Sequence, residues 1–413
     1  MADLADRLTS GAASAHARRA SHEHAVPAAT IVAHDVGTPG GMERQLGELC
    51  SGLLTRGYRV VVIARRCELP PHPRLRWIRV RVPRRPFSVA YPAFFLAGSL
   101  AVRRHREGLL HTTGAVVCNR ADVSTVHFCH HGFSAVVGAP QTSRQSRCYR
   151  LNAAASAWMS RVAERLCFHR RRTRRLVAVS GGVARELEQF LPNRRGEVAV
   201  IPNGVDREGF APKPRARAEV RDRLGLSAHD LAALFVGGDW DRKGLRFAIE
   251  GVADADGWHL VVVGRGDEAS HRAVASRHGV GDRVHFVGAT SEPAGYYAAA
   301  DAFLLPTAYE AFPLVSLEAA AAGLPLLAGR VSGVEELIDD GHNGWFVERD
   351  AAAIAGRLQI LGDDPALRLS MGAAARQNST RYTWERVVDA YVDLYSTLAL
   401  TERPHADEPR WQS

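Results

Sequence analysis

Lysine is almost absent from this 413-residue chain. Of 53 basic residues only Lys213 and Lys243 are lysines. Where arginine is the default, a lysine marks a place where a compact ammonium group is wanted. Cysteine is also scarce. Cys50, Cys67, Cys118, Cys129, Cys148 and Cys167 form no CxxC pair and no zinc-ligand spacing, and all lie in the first half. That pattern excludes a zinc module and argues against a disulfide framework in a chain of this size. Long apolar runs are missing as well. The longest, AYPAFFLAGSLAV (90–102), is too short to cross a bilayer and contains proline and glycine. The first 26 residues lack the apolar centre of a signal peptide and predict a disordered tail, as do residues 401–413. No complete GxGxxG occurs: neither GTPGG (37–41) nor VVGRGDEAS (262–270) supplies one.

What is present is an ordinary globular composition, 46% apolar and 23% charged, in a chain long enough for two domains. The net charge of +9, with an isoelectric point near 9.6, calls for an anionic partner. Charge alone does not choose among a phosphorylated substrate, anionic lipid and nucleic acid.

The pattern along the chain repeats strand, turn and helix. TIVAHDV (30–36) reads as a buried strand and GTPGG as a glycine turn. From Met42 apolar residues recur at helical spacing up to Gly57, and YRVVVIA (58–64) is the next strand. Such units build parallel sheets. Residues 144–175 read as basic and helical, LVAVS (176–180) as a strand and GGVARELEQF (181–190) as a helix. VAVIPNGVDREGFAPKP (198–214) reads as a hinge. A second series follows, with strands in LAALFVGG, WHLVVVG, RVHFVG, AFLLP and PLLAG. The expected fold is α/β: two Rossmann-like doubly wound domains, 27–198 and 199–382, facing across a cleft. Helix 383–400 follows them. In such sheets ligands lie beyond the carboxyl ends of the strands.

Four motifs sit at such ends. In YEAFPLVSLEA (309–319), Glu310 precedes a helix that Pro313 can open, and Glu318 lies over a turn inside it. Two carboxylates at two levels beside free helix amides suit a polyhydroxylated ligand. Alone, the pair reads as ordinary solvated acids; the company it keeps changes that. In FVGGDWDRKGL (235–245), Arg242 and Lys243 stand near a helix start, a place that favours a diphosphate. Asp239-x-Asp241 could hold a divalent ion, but the adjacent cations disfavour it, and no metal site is expected. In GTPGGMER, Gly40 and Gly41 permit close backbone approach. In VHFCHH, His127 is nearest the strand and is the best of three histidines for polarising a reacting group.

Together, GGMER, VAVS, IPNGVD, RKG, EAFPLVSLEAAAAGLPLL and SGVEELIDDGHNGWFV resemble the retaining GT-B glycosyltransferases of family 4, over roughly residues 29–400. The resemblance implies metal-independent sugar transfer from a nucleotide donor, a UDP- or GDP-sugar bound as co-substrate, with no tightly bound cofactor. It places Glu310 near the donor sugar and Glu318 on the ribose. Arg242 and Lys243 would hold the diphosphate, and His127 would approach the sugar. Phe312, Pro313, Leu314 and Val315 would line the donor site, with Gly40 and Gly41 opposite. The resemblance also implies that helix 383–400 crosses back to the first domain. Pro313 stands where many relatives carry glycine, and Gly238 where arginine often follows. The implied acceptor is a glycan, glycolipid or small molecule, and the implied location is cytoplasmic. Trp158, Met159 and Phe168 in the basic region could contact anionic membrane. The alternatives are an NAD(P)-dependent oxidoreductase, which the missing GxGxxG disfavours, and a nucleic-acid binder, for which no motif is present.

Overall fold

The computed structural model describes residues 27–37, 40–136, 147–227 and 229–400. Both tails expected to be disordered, and residues 144–146 of the basic region, lie outside them. In the first half, strands β1 (Ala28–Val32), β2 (Asp35–Val36), β3 (Arg59–Ala64), β4 (Arg66–Cys67), β5 (Leu75–Arg79), β6 (Leu109–Thr113), β7 (Ala121–Val126), β8 (Thr173–Ala178) and β9 (Val198–Val200) alternate with helices. Seven of them form one sheet in the order β5-β3-β1-β6-β7-β8-β9, parallel throughout. β2 and β4 pair separately, so the single strand expected over 30–36 is divided at Ala33–His34. The central strands are buried along nearly their whole length, as helix-covered parallel strands are.

The second half gives β10 (Leu231–Val236), β11 (Trp258–Val263), β12 (Val284–Gly288), β13 (Ala302–Leu305), β14 (Leu326–Ala328) and β15 (Gly344–Phe346). They form a second parallel sheet in the order β12-β11-β10-β13-β14-β15. In both sheets the order reverses beside the first strand of the series. That switch point leaves a crevice at the carboxyl ends.

Two details differ from the sequence reading. The helix in the basic region ends at Cys167, and β8 begins at Thr173, because Thr173–Ala178 completes a ladder with β7. The boundary expected between 198 and 199 falls inside β9, which extends the first sheet to Val200.

The hinge segment is pinned rather than loose. Val205 N–H donates to the Tyr382 carbonyl (2.9 Å). Gly204 lies so close to Trp384 that a Cβ there would sit 2.6 Å from the indole. The outgoing and returning passages of the chain therefore run side by side. Helix Trp384–Leu400 then packs on helix Gly41–Thr55, where Gly52 gives way to Val388. A buried relay also ties this last helix to the first sheet: Tyr395 to His111 (2.5 Å), His111 to Thr125 (2.7 Å), and Thr125 to Tyr391 (2.8 Å). Burial lowers the His111 pKa to about 3, which keeps that ring neutral.

Candidate active site

A cleft of about 260 Å³ opens between the two sheets. Its walls include Gly41, His127, Arg242, Lys243, Glu310, Phe312, Pro313, Leu314 and Val315, nine of the residues singled out from sequence. Gly40 and Glu318 stand just outside. Gly40 is the N-cap of helix Gly41–Thr55, facing the Glu43 carboxylate. Glu318 lies under the floor.

The second-domain wall is built by two turns. After β10, Gly237 adopts φ 141°, and a Cβ there would meet the Lys243 side chain at 2.6 Å. The chain then passes through Asp239 at φ 51°, a left-handed conformation uncommon for a non-glycine residue. One short helical turn, Trp240–Lys243, follows and ends at Gly244 (φ 79°). Arg242 and Lys243 thus close that turn, and helix Leu245–Ala253 begins beyond them. Gly244 is pressed against the Pro306 carbonyl, at 2.2 Å from any Cβ. Both glycines let the cation-bearing turn lie against β13 and the segment that follows it.

Across from it, Glu310 Oε1 accepts from Arg242 (2.9 Å) and from Lys243 (2.7 Å). Burial pushes the Glu310 carboxyl up, but Lys243 and Arg242 outweigh it and hold the group below its usual range. Arg242 is fixed further by Asp239 (2.7 Å) and by the Tyr309 carbonyl. Arg349 braces the turn from behind through the carbonyls of Arg242 (3.2 Å) and Asp241 (2.8 Å). Pro313 is the N-cap of helix Leu314–Ala321 rather than its first residue, and no side chain caps that end. Glu318, buried in the next turn, accepts from Tyr297 (2.6 Å) and pairs with Arg44 of the opposite domain.

The first domain contributes His127, just past β7. Its Nε2 atom is buried without a partner, and burial lowers its pKa to about 4, so the ring is neutral near pH 7. Gly41 faces Leu314 across the cleft at 3.4 Å from an added Cβ. Further ties hold the walls together. Tyr309 donates to Glu186 (2.9 Å), the Gly181 amide donates to Glu336 (2.6 Å), and Asn203 donates to the Phe312 carbonyl (3.1 Å). Arg44, Tyr309 and Asn203 were not singled out from sequence. Arg44 sits inside GGMER and Asn203 inside IPNGVD, but nothing local shows which partner each meets. No group of three or more metal-ligating side chains occurs among the described residues.

Two Rossmann-like parallel sheets facing across a cleft, with a cation pair, Glu310 and an uncapped helix end in its wall, make up the GT-B fold. The family comparison says the same. The family described as "Glycosyltransferase Family 4" matches residues 39–208, and "Glycosyl transferases group 1" matches 231–364. The chain therefore carries the two domains of the family 4 glycosyltransferases in the GT-B arrangement. Among its relatives are the D-inositol 3-phosphate glycosyltransferases of Streptomyces avermitilis and Acidothermus cellulolyticus, both 34% identical. The matches cover 55% and 58% of this chain and 53% and 56% of those proteins, so the chain spans about half their length. Solved structures agree on the fold. WaaG, a glycosyltransferase involved in lipopolysaccharide biosynthesis, superimposes with a TM-score of 0.75 at 21% identity, covering 89% of this chain and 99% of that one. Anabaena HepE in complex with UDP and glucose gives 0.69 at 18% identity, over 90% of this chain and 100% of that one.

Proposed function

We propose that the chain transfers a hexose-type sugar, with retention and without a metal, from a UDP- or GDP-sugar to an acceptor hydroxyl. The observation that supports this best is the shared contact of Glu310 Oε1 with Arg242 and Lys243. It gathers two cations and a hydrogen-bonding carboxylate at the mouth of a helix whose N-terminus is uncapped. In this reading the donor lies on the second domain. Arg242 and Lys243 take the diphosphate, Glu310 turns to the sugar hydroxyls, and Glu318 takes the ribose once Arg44 releases it. Phe312 to Val315 contact the donor through backbone and side chain.

The chemical step is a front-face displacement. The bond from the anomeric carbon to the leaving phosphate oxygen breaks, and a bond to the acceptor oxygen forms on the same face. The acceptor proton passes to the departing phosphate oxygen. Arg242 and Lys243 stabilise the charge that develops there. His127, neutral and unpartnered, orients the sugar from the first domain. Domain closure about the 201–205 and 382–384 passages excludes water.

Calorimetric titration with UDP, GDP, ADP and NAD, each with EDTA and with Mg²⁺, tests the reading. The expected result is metal-independent binding of one nucleoside diphosphate. Binding of NAD alone would favour a dinucleotide-dependent oxidoreductase instead.

A further inference from the structure

Two loops carry groups assigned to the sugar, one from each domain, and they meet at a single side chain. His127 opens the segment after β7, and Glu310 lies in the stretch 306–313 that joins β13 to helix Leu314–Ala321. Tyr309, next to Glu310, turns its side chain toward the other domain. Its ring stands edge-on to Phe128 and to Phe133, with centroids 5.4 Å away in both cases. Its hydroxyl donates to Glu186 Oε2 (2.9 Å) and lies 3.4 Å from the Cys129 carbonyl oxygen. All four of these partners belong to the first domain. Tyr309 is 3% exposed, so a second-domain side chain is buried in a first-domain socket.

The same residue is held from its own side. Arg242 donates to the Tyr309 carbonyl and to Glu310 Oε1 (2.9 Å), and the Ala308 amide donates to the Arg242 carbonyl (3.0 Å). Moving Tyr309 therefore moves Glu310 and Arg242. On the other side Phe128 follows His127 directly, so the socket and His127 share one short segment. Helix Gly181–Phe190, which carries Glu186, also meets the second domain through Gly181 to Glu336 (2.6 Å) and Arg185 to Glu335. Tyr309 lines the cleft, whereas Glu335 and Glu336 do not. Those two ties join the domains; the Tyr309 tie joins the site.

The chemistry of the pair suits a clasp. Burial drives the Tyr309 hydroxyl far above its usual range, so it stays protonated and serves as a donor. Burial also raises the half-buried Glu186 carboxyl, and the bond from Tyr309 works against that rise. A hydroxyl donating to a carboxylate is a strong bond, and the edge-on rings favour one orientation.

We infer that Tyr309 is a positioning residue for transfer: seated among Phe128, Phe133 and Glu186, it makes domain closure set the placement of Glu310, Arg242 and Lys243 relative to His127. The inference rests on the sugar-transfer reading above. Tyr309 acts through the backbone it shares with Glu310 and through Arg242, not by contact with the reacting atoms. A misplacement of about 1 Å at such a site costs up to about a hundredfold in rate.

The test uses the full chain. Release of nucleoside diphosphate from UDP-glucose or GDP-mannose is followed with water and with D-inositol 3-phosphate as acceptors. Tyr309→Phe keeps the ring in its socket and removes the hydroxyl. Its kcat is expected to fall about tenfold or more, the effect of losing one hydrogen bond to a charged group, while the nucleoside diphosphate Kd stays within about threefold. Glu186→Gln keeps an accepting oxygen and should retain kcat within about threefold. Glu186→Ala should match Tyr309→Phe, and the double variant should fall no further than either single one. Glu335→Ala cuts a tie on the same helix away from the cleft and should leave kcat within about twofold. Amide hydrogen exchange in Tyr309→Phe should rise in 127–133 and 306–313 together, a readout that needs no turnover. Wild-type kcat in Tyr309→Phe would overturn the inference, as would additive losses in the double variant, an equal loss in Glu335→Ala, or unchanged exchange in 127–133. A loss of nucleotide affinity as large as the loss of kcat would overturn it too, by making Tyr309 part of the donor site. In each of these cases the wild-type chain still binds nucleotide; absence of that binding would remove the sugar-transfer reading and this inference with it.

Discussion

Replacing Glu310 by glutamine isolates the cation pair. The three side chains are largely buried: Glu310 is 13% exposed, Lys243 10% and Arg242 19%. At an effective dielectric constant of about 20, a pair at 2.7 Å is attracted by roughly 6 kcal/mol, most of it offset by desolvation. Removing the carboxylate takes the ion-pair partner from buried Lys243, while Arg242 keeps Asp239 (2.7 Å), and breaking such a cluster costs about 3–5 kcal/mol. Glu310→Gln is therefore expected to lower the stability of the nucleotide-free protein by about that amount. In the proposed reading a nucleoside diphosphate brings its own negative charge to the same two cations. In the wild-type protein it competes with the carboxylate; in the variant it does not. The ligand-induced rise in melting temperature should thus be larger for Glu310→Gln than for wild type, and affinity should rise by about tenfold or more, equivalent to about 1.4 kcal/mol. Transfer activity should fall, because the amide offers one accepting oxygen in place of two and carries no charge to strengthen its bonds to sugar hydroxyls. Thermal scanning with and without UDP and GDP, and a transfer assay on the same samples, measure all three. Equal ligand-induced shifts in the two proteins would refute the reasoning, and so would an unchanged transfer rate.

The remaining predictions concern separate parts of the molecule. Gly41→Leu should project into Leu314, which already lies 3.4 Å from an added Cβ, and should reduce kcat/KM by about tenfold or more while circular dichroism stays native. Burial raises Glu164 to about 7, so its charged form is disfavoured in the folded state. Stability from this group is full below pH 4.5 and is lost as pH rises through about 7. Glu164→Gln should therefore be more stable relative to wild type at pH 8 than at pH 5 in denaturant titrations. His127, lowered by burial to about 4, acts oppositely: stability should climb as pH rises from about 4 to 6.5, and His127→Asn should flatten that limb. Membrane contact by the basic region cannot use Phe168, which is 1% exposed, but Trp158 is 61% exposed. If that surface meets anionic lipid, Trp158→Ser should weaken sedimentation with phosphatidylglycerol vesicles at low salt; equal sedimentation would remove Trp158 from any such contact. No helix among the described residues is long and apolar enough to cross a membrane.

Much of the fold was legible because parallel strands and their covering helices announce themselves locally. VVVIA and WHLVVV are apolar without alternation, as strands buried on both faces must be. Gly57 stops one helix and Gly323 another, each at positive φ, where glycine is at ease. The site motifs were equally local: RKG closes a turn, and Glu310 and Glu318 flank a helix start. The basic region misled because arginine and alanine favour helix as far as the sequence shows. Only the ladder with β7 draws Thr173–Ala178 into a strand.

The sequence by itself thus determined the two doubly wound series and the motifs at the carboxyl ends of their strands, since each depends on neighbours within a few turns of chain. Tertiary structure alone decided which charges meet. Arg44 reaches Glu318 across 274 residues, and Lys243 reaches Glu310 across 67. It also brought His34, Thr113 and His127 to one cavity, because β1, β6 and β7 are adjacent in the sheet though far apart in the chain. Strand order comes from the packing of whole faces against one another. No local period encodes it, and so that cavity became visible only once the sheet was assembled.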